Sequence, residues 1–468
     1  MEYLIRFAQL HETFRLPELQ SLASLVGTDL EIVHYDPCSP YCIIKLPNED
    51  AARAVIARSI LGKEIFELWT QGSTYEELHA NVRGRTQHRW AQFKHDSFRF
   101  TVDGYGGHRS LTEKREIIGT FNYMGFEGPI RMKNPDQDFW IMEQYTPDFS
   151  PDSLMSESKG EKRGDPKKIY FARWIGNSSR EATNQYDLKK RRYISTTSMD
   201  AELSLITANM AHAGPGKLFY DPFVGTGGFI VSAAHFGAVT LGSDIDGRSF
   251  RGKQKKGDPP GVFRNFQQYG TESKFGDVFT SDITNTPLRE YQFLDGIVCD
   301  PPYGIREGLQ VLGTRESRRG RNAAKEEIII DGVPAHYRPD YIAPKRPYGF
   351  EALQNDILEF ASRTLVTNGR LCMWMPTASD EDGELATPMH PNLKVISVSV
   401  QEFNLWARRL ITYQRLPEGE VSDVSSSRQL KDGETGYTAN ELNAFRKKYF
   451  EKKKENKTGS EKGSPASR

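Results

Sequence analysis

The sequence predicts an α/β domain built on an open, mostly parallel sheet and preceded by a mixed α+β region. Three observations carry that expectation. From about Tyr193 to Arg415, strand-like apolar runs alternate with helix-like ones. Within that stretch the strand Lys217-Leu218-Phe219-Tyr220-Asp221 runs through a glycine-bearing turn into an apolar helix over residues 229–235. Upstream, residues 3–70 read in the order β-α-β-β-α-β, the ferredoxin-like split unit, a scaffold that implies no function by itself.

Taken in order, residues 3–8 form the first strand. Pro17 opens a helix that places Leu19, Leu22, Leu25 and Val26 on one face. Strands follow at 30–35 and 41–46. Asn48 caps a helix through Leu61, with Glu49 and Asp50 in its first turn, and a strand covers 64–70. A second region, 83–176, alternates strands at 97–102, 139–144 and 169–175 with a helix around 111–123. It interleaves Arg83, Arg85, Arg89, Lys94, Arg99, Arg109, Lys114, Arg115, Arg131 and Lys133 with Trp90, Phe93, Phe98, Phe100, Tyr105, Phe121 and Tyr123. Positive charge for phosphates and flat rings for unstacked bases suit RNA. The alternative is an ordinary core with a solvated charged rim.

Residues 148–168 read as a Pro/Ser/Lys/Gly-rich linker. Two stretches, 247–270 and 307–348, interrupt the later alternation. The basic run 187–192 reads either as an RNA backbone contact or as solvated linker charge. Beyond Arg415 the chain turns polar. Thr438-Ala439-Asn440-Glu441 forms a capping box for a short helix to about Phe450, and 451–468 reads as a disordered tail. The expected domains are 1–82, 83–180, 181–420 and a polar extension, 421–468.

Composition narrows the function classes. The 468 residues allow two to four domains. Lys+Arg and Asp+Glu each number 62, which excludes a uniformly basic nucleic-acid coat but not a local basic face. Four cysteines, at 38, 42, 299 and 372, make no disulfide framework and lack zinc-ligand spacing, so no metal is expected. The charged start is no signal peptide, and no run of about 18 apolar residues is present to span a membrane. A reduced, cytoplasmic setting follows as the expectation.

The chemistry concentrates in four short segments. Asp221-Pro222-Phe223-Val224-Gly225-Thr226-Gly227-Gly228 links a strand to a helix, where glycines let the backbone approach a ligand. Asp244 ends the next strand, 17 positions after Gly227, at the offset of a ribose-binding acid, with Asp246 as its alternate. Asp277-Val278 is expected at the third strand's end, where an acid would hold an adenine amino group. The run 294–299 then delivers Asp300-Pro301-Pro302-Tyr303 to a strand's C-terminal edge. The prolines fix the backbone and remove N–H donors. The Asp300 carboxylate and the Pro301 carbonyl remain as two acceptors for the two N–H bonds of an exocyclic amine, with Tyr303 as a flat stacking partner.

Residues 221–228 together with 300–303 resemble the class I amino-group methyltransferases, and Thr197-Ser198-Met199-Asp200 resembles the element these enzymes close over the methionine end of their cofactor. The N-terminal half, through Arg131-Met132-Lys133-Asn134-Pro135-Asp136 and the strand that follows, resembles a THUMP-type RNA-binding module behind a ferredoxin-like domain. The whole, over residues 1–420, resembles the eukaryotic tRNA (guanine-N2) methyltransferases that act at guanine 10. That resemblance implies a Rossmann-like domain behind two α+β domains and S-adenosylmethionine as methyl donor. It implies cofactor contacts at Thr197, Ser198, Asp221, Pro222, Gly225, Thr226, Gly227, Asp244, Asp277 and Val278, and a catalytic Asp300-Pro301-Pro302-Tyr303. It also implies tRNA and a small zinc-binding activator subunit as partners. Two alternatives stand beside it. The same chemistry can serve adenine in nucleic acid or glutamine in protein, and a methyltransferase fold can persist as a silent RNA-binding scaffold.

Overall fold

The computed structural model describes residues 1–146, 164–195, 198–252, 261–305, 308–313, 329–334, 337–338, 344–378, 387–404, 406–422, 443, 445–447 and 449–450. The capping box at 438–441, the tail at 451–468 and Thr197 lie outside them, as does much of the 148–168 and 307–348 stretches. The chain forms two compact units, Met1–Ala182 and Thr183–Arg468. No helix among the described residues is long and apolar enough to cross a membrane.

The first unit contains β1 (Glu2–Phe7), α1 (Glu12–Val26), β2 (Glu31–Tyr35), β3 (Tyr41–Lys45), α2 (Glu49–Ile56), β4 (Gly62–Gly72), α3 (Tyr75–Trp90), β5 (Phe98–Tyr105), α4 (Leu111–Gly119), β6 (Gln137–Gln144) and β7 (Lys168–Asn177). The strands form one sheet in the order β2-β3-β1-β4-β7-β6-β5. The expected β-α-β-β-α-β order is present, and β4 pairs antiparallel with β7, so both expected N-terminal domains share this sheet. The position 82/83 falls inside α3.

Two local expectations change. Pro17 does not open α1. It lies inside the helix, which starts five residues earlier. Two fully buried charges fasten this helix despite the missing amide. Arg15 donates to the carbonyls of Ala8, Pro37 and Ser39. Glu18 accepts from the Ser59 hydroxyl at 3.0 Å and from the amides of Ile60 and Leu61, each at 2.9 Å. Helix α2 starts as expected, with Asn48 accepting from the Ala51 amide, but ends at Ile56 rather than Leu61.

The basic and aromatic residues of 83–133 divide by type. Trp90, Phe93, Phe98, Phe100, Phe121 and Tyr123 belong to one core cluster with Trp69, Phe139 and Phe171, and Tyr105 packs on a second. The rings are therefore core, as in the ordinary reading. Of the cations, Arg89 pairs with Glu67 and Arg109 with the fully buried Glu143. Arg83, Arg85, Arg115, Arg131 and Lys133 remain exposed.

The second unit contains α5 (Ala201–Met210), β8 (Leu218–Asp221), α6 (Gly228–His235), β9 (Val239–Asp244), α7 (Gly261–Tyr269), β10 (Phe275–Thr280), β11 (Leu294–Cys299), α8 (Phe350–Thr364), β12 (Leu365–Ala378), β13 (Leu393–Glu402) and β14 (Trp406–Arg415). The sheet order is β10-β9-β8-β11-β12-β14-β13. Strands β8 to β12 run parallel, and β14 lies antiparallel between β12 and β13. This is the expected Rossmann-like sheet, closed by an antiparallel pair. Alternation along β12 puts helices on both faces. Leu371, Met373 and Met375 join the core beneath α8, while Trp374 points the other way and donates to Thr207 of α5.

Replacing Glu18 by Ala removes the acceptor for two buried amides and leaves the first unit about 3 kcal/mol less stable. Urea unfolding of the whole chain measures this, and a loss under about 1 kcal/mol would contradict it.

Candidate functional site

Chain direction in the sheet selects the site. From β8 the chain winds outward through β9 to β10, then returns to β11 on the other side of β8. Ligands of open α/β sheets bind outside the carboxyl ends of the strands at this reversal. The two strands at the reversal end in Asp221 and lead directly into Asp300, and the neighbouring β9 ends in Asp244.

The glycine turn after β8 is held from three sides. The Val224 amide donates to the Ser243 carbonyl at 2.8 Å, and the Gly225 amide donates to Asp244 Oδ2 at 3.1 Å. Gly225 and Gly227 have φ of 48° and 82°, which excludes most side chains. A Cβ on Gly227 would also lie 2.7 Å from Val262 of α7. Buried Asn265 of α7 donates to the Thr226 carbonyl and pairs with the Tyr193 backbone in both directions. Pro222 and Thr226 are buried in the same turn. Ser198, from the segment before α5, bonds the Thr226 hydroxyl at 2.7 Å, so that segment reaches the glycine turn.

The carboxyls are perturbed in a consistent way. Burial pushes Asp221 well above the usual carboxylate range, and the like charges of Asp244 and Asp300 add to it. Burial also raises Asp244, against the amides of Asp246 and Gly225. Asp246 differs. Its hydrogen bonds to Arg248 hold it down at about 2, and the pair is on the outside of the turn. Of the two ribose-acid alternates, only Asp244 touches the glycine turn.

The loop after β11 is shaped by its prolines and clasped from a distance. Pro301 is buried and Pro302 exposed. The Tyr303 hydroxyl donates to Asp300 Oδ1, and the ring stands edge-on to Trp406 at 5.9 Å. Among the described residues Asp300 Oδ2 accepts no hydrogen bond. Burial raises the Asp300 carboxyl, opposed by Tyr303 and by the charge of Arg408. That arginine lies over Trp374 and Phe403 at 4.9 and 5.5 Å. On the far side of the loop, Asn443 donates to the Tyr303 carbonyl at 2.9 Å, and Arg446 donates to the carbonyls of Gly304 and Ile305. Asn443 also accepts from the Arg446 amide, the bond that starts the C-terminal helical turn.

One sequence expectation is corrected here. Asp277 and Val278 do not end β10. Register pairs Asp277 with Leu241 and Thr280 with Asp244, so Asp277 lies three residues short of the edge and is exposed. Its carboxylate accepts from the Val278 amide, while Val278 is buried beside the position of Gly242. The acid beyond the strand end is Asp282, 4% exposed, which accepts from Thr284 and from the Leu312 amide at 2.6 Å. The Ser281-Asp282 step after the apolar strand was the available signal. Asn265, Arg408, Asn443 and Arg446 carried no local motif, because each reaches the site from a distant element.

Two consequences are measurable. Asp221 is raised by folding, so its stabilising contribution is present in acid and lost as pH rises through its folded pKa. Asp221→Asn removes that loss. The variant unfolds at higher urea than wild type at pH 8, and the gap closes on acidification; a gap constant with pH would contradict the electrostatic cause. Arg446→Ala frees two loop carbonyls, and amide exchange over residues 303–305 quickens about tenfold. Unchanged exchange would show that the clasp holds nothing.

Comparison with known proteins adds to this geometry. A family model described as the Tmrp11 THUMP N-terminal domain matches residues 1–180. The chain is 43% identical over 447 residues to the tRNA (guanine(10)-N(2))-methyltransferase of Saccharomyces cerevisiae, covering 95% of this chain and 99% of the relative. It is 37% identical over 485 residues to the Schizosaccharomyces pombe enzyme of that name, covering 96% of each. It is 35% identical over 466 residues to tRNA (guanine(10)-N(2))-methyltransferase TRMT11 of Rattus norvegicus, covering 96% and 94%.

Proposed function

This chain belongs to the tRNA (guanine(10)-N(2))-methyltransferase family, and on that premise we propose that it transfers a methyl group from S-adenosylmethionine to the 2-amino group of guanine 10 in tRNA. The observation that carries the reading is Asp300 at the sheet reversal, with one carboxylate oxygen bound by Tyr303 and the other open.

The site residues fit the cofactor. Its sulfonium and ammonium are cationic, and three carboxyls whose charged forms are disfavoured, Asp221 buried and Asp244 and Asp300 half-buried, stand at this edge. A Cβ on Gly225 would meet only the Phe223 carbonyl oxygen, at 3.9 Å, and φ there favours glycine, which leaves a bare backbone for close approach. Asp221, Pro222, Gly225, Thr226 and Gly227 would border the methionyl part with Ser198, and Thr197 beside it in sequence is carried over from the resemblance. Asp244 would take the ribose hydroxyls. The adenine amine falls to Asp282 rather than to Asp277, since Asp282 follows the strand end. When bound, the cofactor supplies an electrophilic methyl on a sulfonium that leaves as a neutral thioether.

The protein's own part is orientation and electrostatics. The 2-amino group lies on the pairing edge of guanine, so the base leaves its stack to reach the loop. Asp300 Oδ2 and the Pro301 carbonyl hold the two amino protons, which points the nitrogen lone pair at the methyl. As the N–C bond forms, positive charge grows on nitrogen and the carboxylate stabilises it. The proton leaves afterwards, so no strong base is needed. Pro302 adds rigidity, and Tyr303 holds Asp300 in place and offers its ring as a flat partner for the base. The first unit supplies tRNA contacts through its exposed cations Arg83, Arg85, Arg115, Arg131 and Lys133. A small zinc-binding activator subunit is carried over from the resemblance as partner.

Asp300→Ala lowers turnover about 100- to 1,000-fold with cofactor binding largely kept. Nucleoside mass spectrometry of tRNA incubated with the chain, its activator and labelled cofactor tests the whole reading. N2-methylguanosine at position 10 is expected, and label on adenine or on protein instead would overturn the tRNA assignment.

A further inference from the structure

We infer that Arg191 is a carboxylate receptor, whose guanidinium takes the carboxylate of the cofactor's amino-acid tail beside the first turn of α6. The inference rests on the cofactor reading above and deepens it. Arg191 belongs to the basic run 187–192, whose Lys189, Lys190 and Arg192 are exposed. Arg191 alone turns inward and is 5% exposed.

Its hydrogen bonding is incomplete. Nη2 makes one long bond, 3.4 Å, to the Tyr186 carbonyl. Nε and Nη1 are buried and have no partner. Among the described residues no carboxylate pairs with it. A guanidinium withdrawn from water with two of its nitrogens unmatched is unfavourable unless an anion completes it, and its planar fork matches a carboxylate edge.

The position identifies the anion. A Cβ built on Gly228 would lie 3.7 Å from Nη1, so the guanidinium sits against the first residue of α6. The opening turn of a helix presents unpaired amides and the positive end of its dipole. Two independent positive features thus meet at the glycine turn. Nearby Ser204 already donates to the Asp200 carbonyl, so it does not compete. The depth of burial favours the carboxylate of a small ligand over an RNA phosphate, which remains on the outside of a strand. The cofactor's amino-acid tail carries such a carboxylate next to an ammonium, and the glycine turn, whose far end at Gly228 meets Arg191, has Asp221 at its start for the ammonium.

The test is calorimetric titration of the full chain with S-adenosylhomocysteine and with its decarboxylated analogue. Wild type is expected to prefer the carboxylate-bearing compound by about thirtyfold. Arg191→Met should lose that preference by weakening S-adenosylhomocysteine alone, while the analogue's unchanged affinity shows that the fold is intact. Arg191→Lys, which keeps charge without the fork, should fall between. Equal affinities in wild type, or a preference that survives in Arg191→Met, overturn the inference even where that variant or wild type must be read alone. Weaker tRNA binding in Arg191→Met with S-adenosylhomocysteine affinity unchanged would assign the group to a phosphate and overturn it too. If wild type binds neither compound, the cofactor reading itself falls, and this inference with it.

Discussion

Asp221, Asp244 and Asp300 stand at the carboxyl ends of three consecutive strands in one sheet, and burial raises the pKa of each. Like charges so placed repel, and much of the surrounding structure offsets that repulsion. The Phe223 amide serves Asp221. The amides of Gly225 and Asp246 serve Asp244. A phenol and a nearby guanidinium serve Asp300. The backbone donors among them belong to turns that must adopt a specific path to deliver them, while the guanidinium comes from Arg408 of β14. The left-handed glycines, the two prolines and the bracing Asn265 follow from that requirement. The arrangement suits a ligand that arrives positively charged and departs neutral, because the attraction disappears with the transferred group.

Three buried charges of the first unit are handled differently. Glu143 is fully buried and accepts from Tyr75, Tyr145 and Arg109. Glu18 and Arg15 are likewise saturated by local partners. Saturated charges hold loops in one register and leave no valence for a ligand. The second unit leaves valences open at one sheet edge, on both the negative and the positive side, as the unmatched nitrogens of Arg191 show.

The sequence made the second unit legible because its signals are local. A strand, a glycine turn and an apolar helix are contiguous at 217–235, and Asp-Pro-Pro-Tyr follows a buried strand directly. The Asp277 expectation failed because register is not local. Which residue ends β10 depends on its pairing with β9, and a polar step inside the strand at 276–277 imitated an end. Helix α3 was missed although Thr74 accepts from Glu77, and Leu78, Val82 and Thr86 repeat at helical spacing, since dense arginines masked the period. The aromatics of the same region resemble a stacking surface in composition alone, and only packing reveals them as core. Pro17 misled by the opposite route, because buried Arg15 and Glu18 anchor the turn in which it sits.

The clasp on the Asp300 loop has a consequence for biosynthesis. Asn443 reaches back 140 residues to Tyr303, and Arg446 reaches back 142 to Gly304. At about 5–20 residues per second, a ribosome needs roughly 7–30 s to make that intervening length. The sheet's last strand ends at Arg415, so the sheet is whole for only the last 28 of those residues (415 to 443), about 1–6 s, before Asn443 is made. The loop carrying Asp300 therefore waits, built but unfastened, until the end of the chain emerges. On the proposed function, a nascent chain can form the glycine turn before the Asp300 loop is set, so binding would precede turnover.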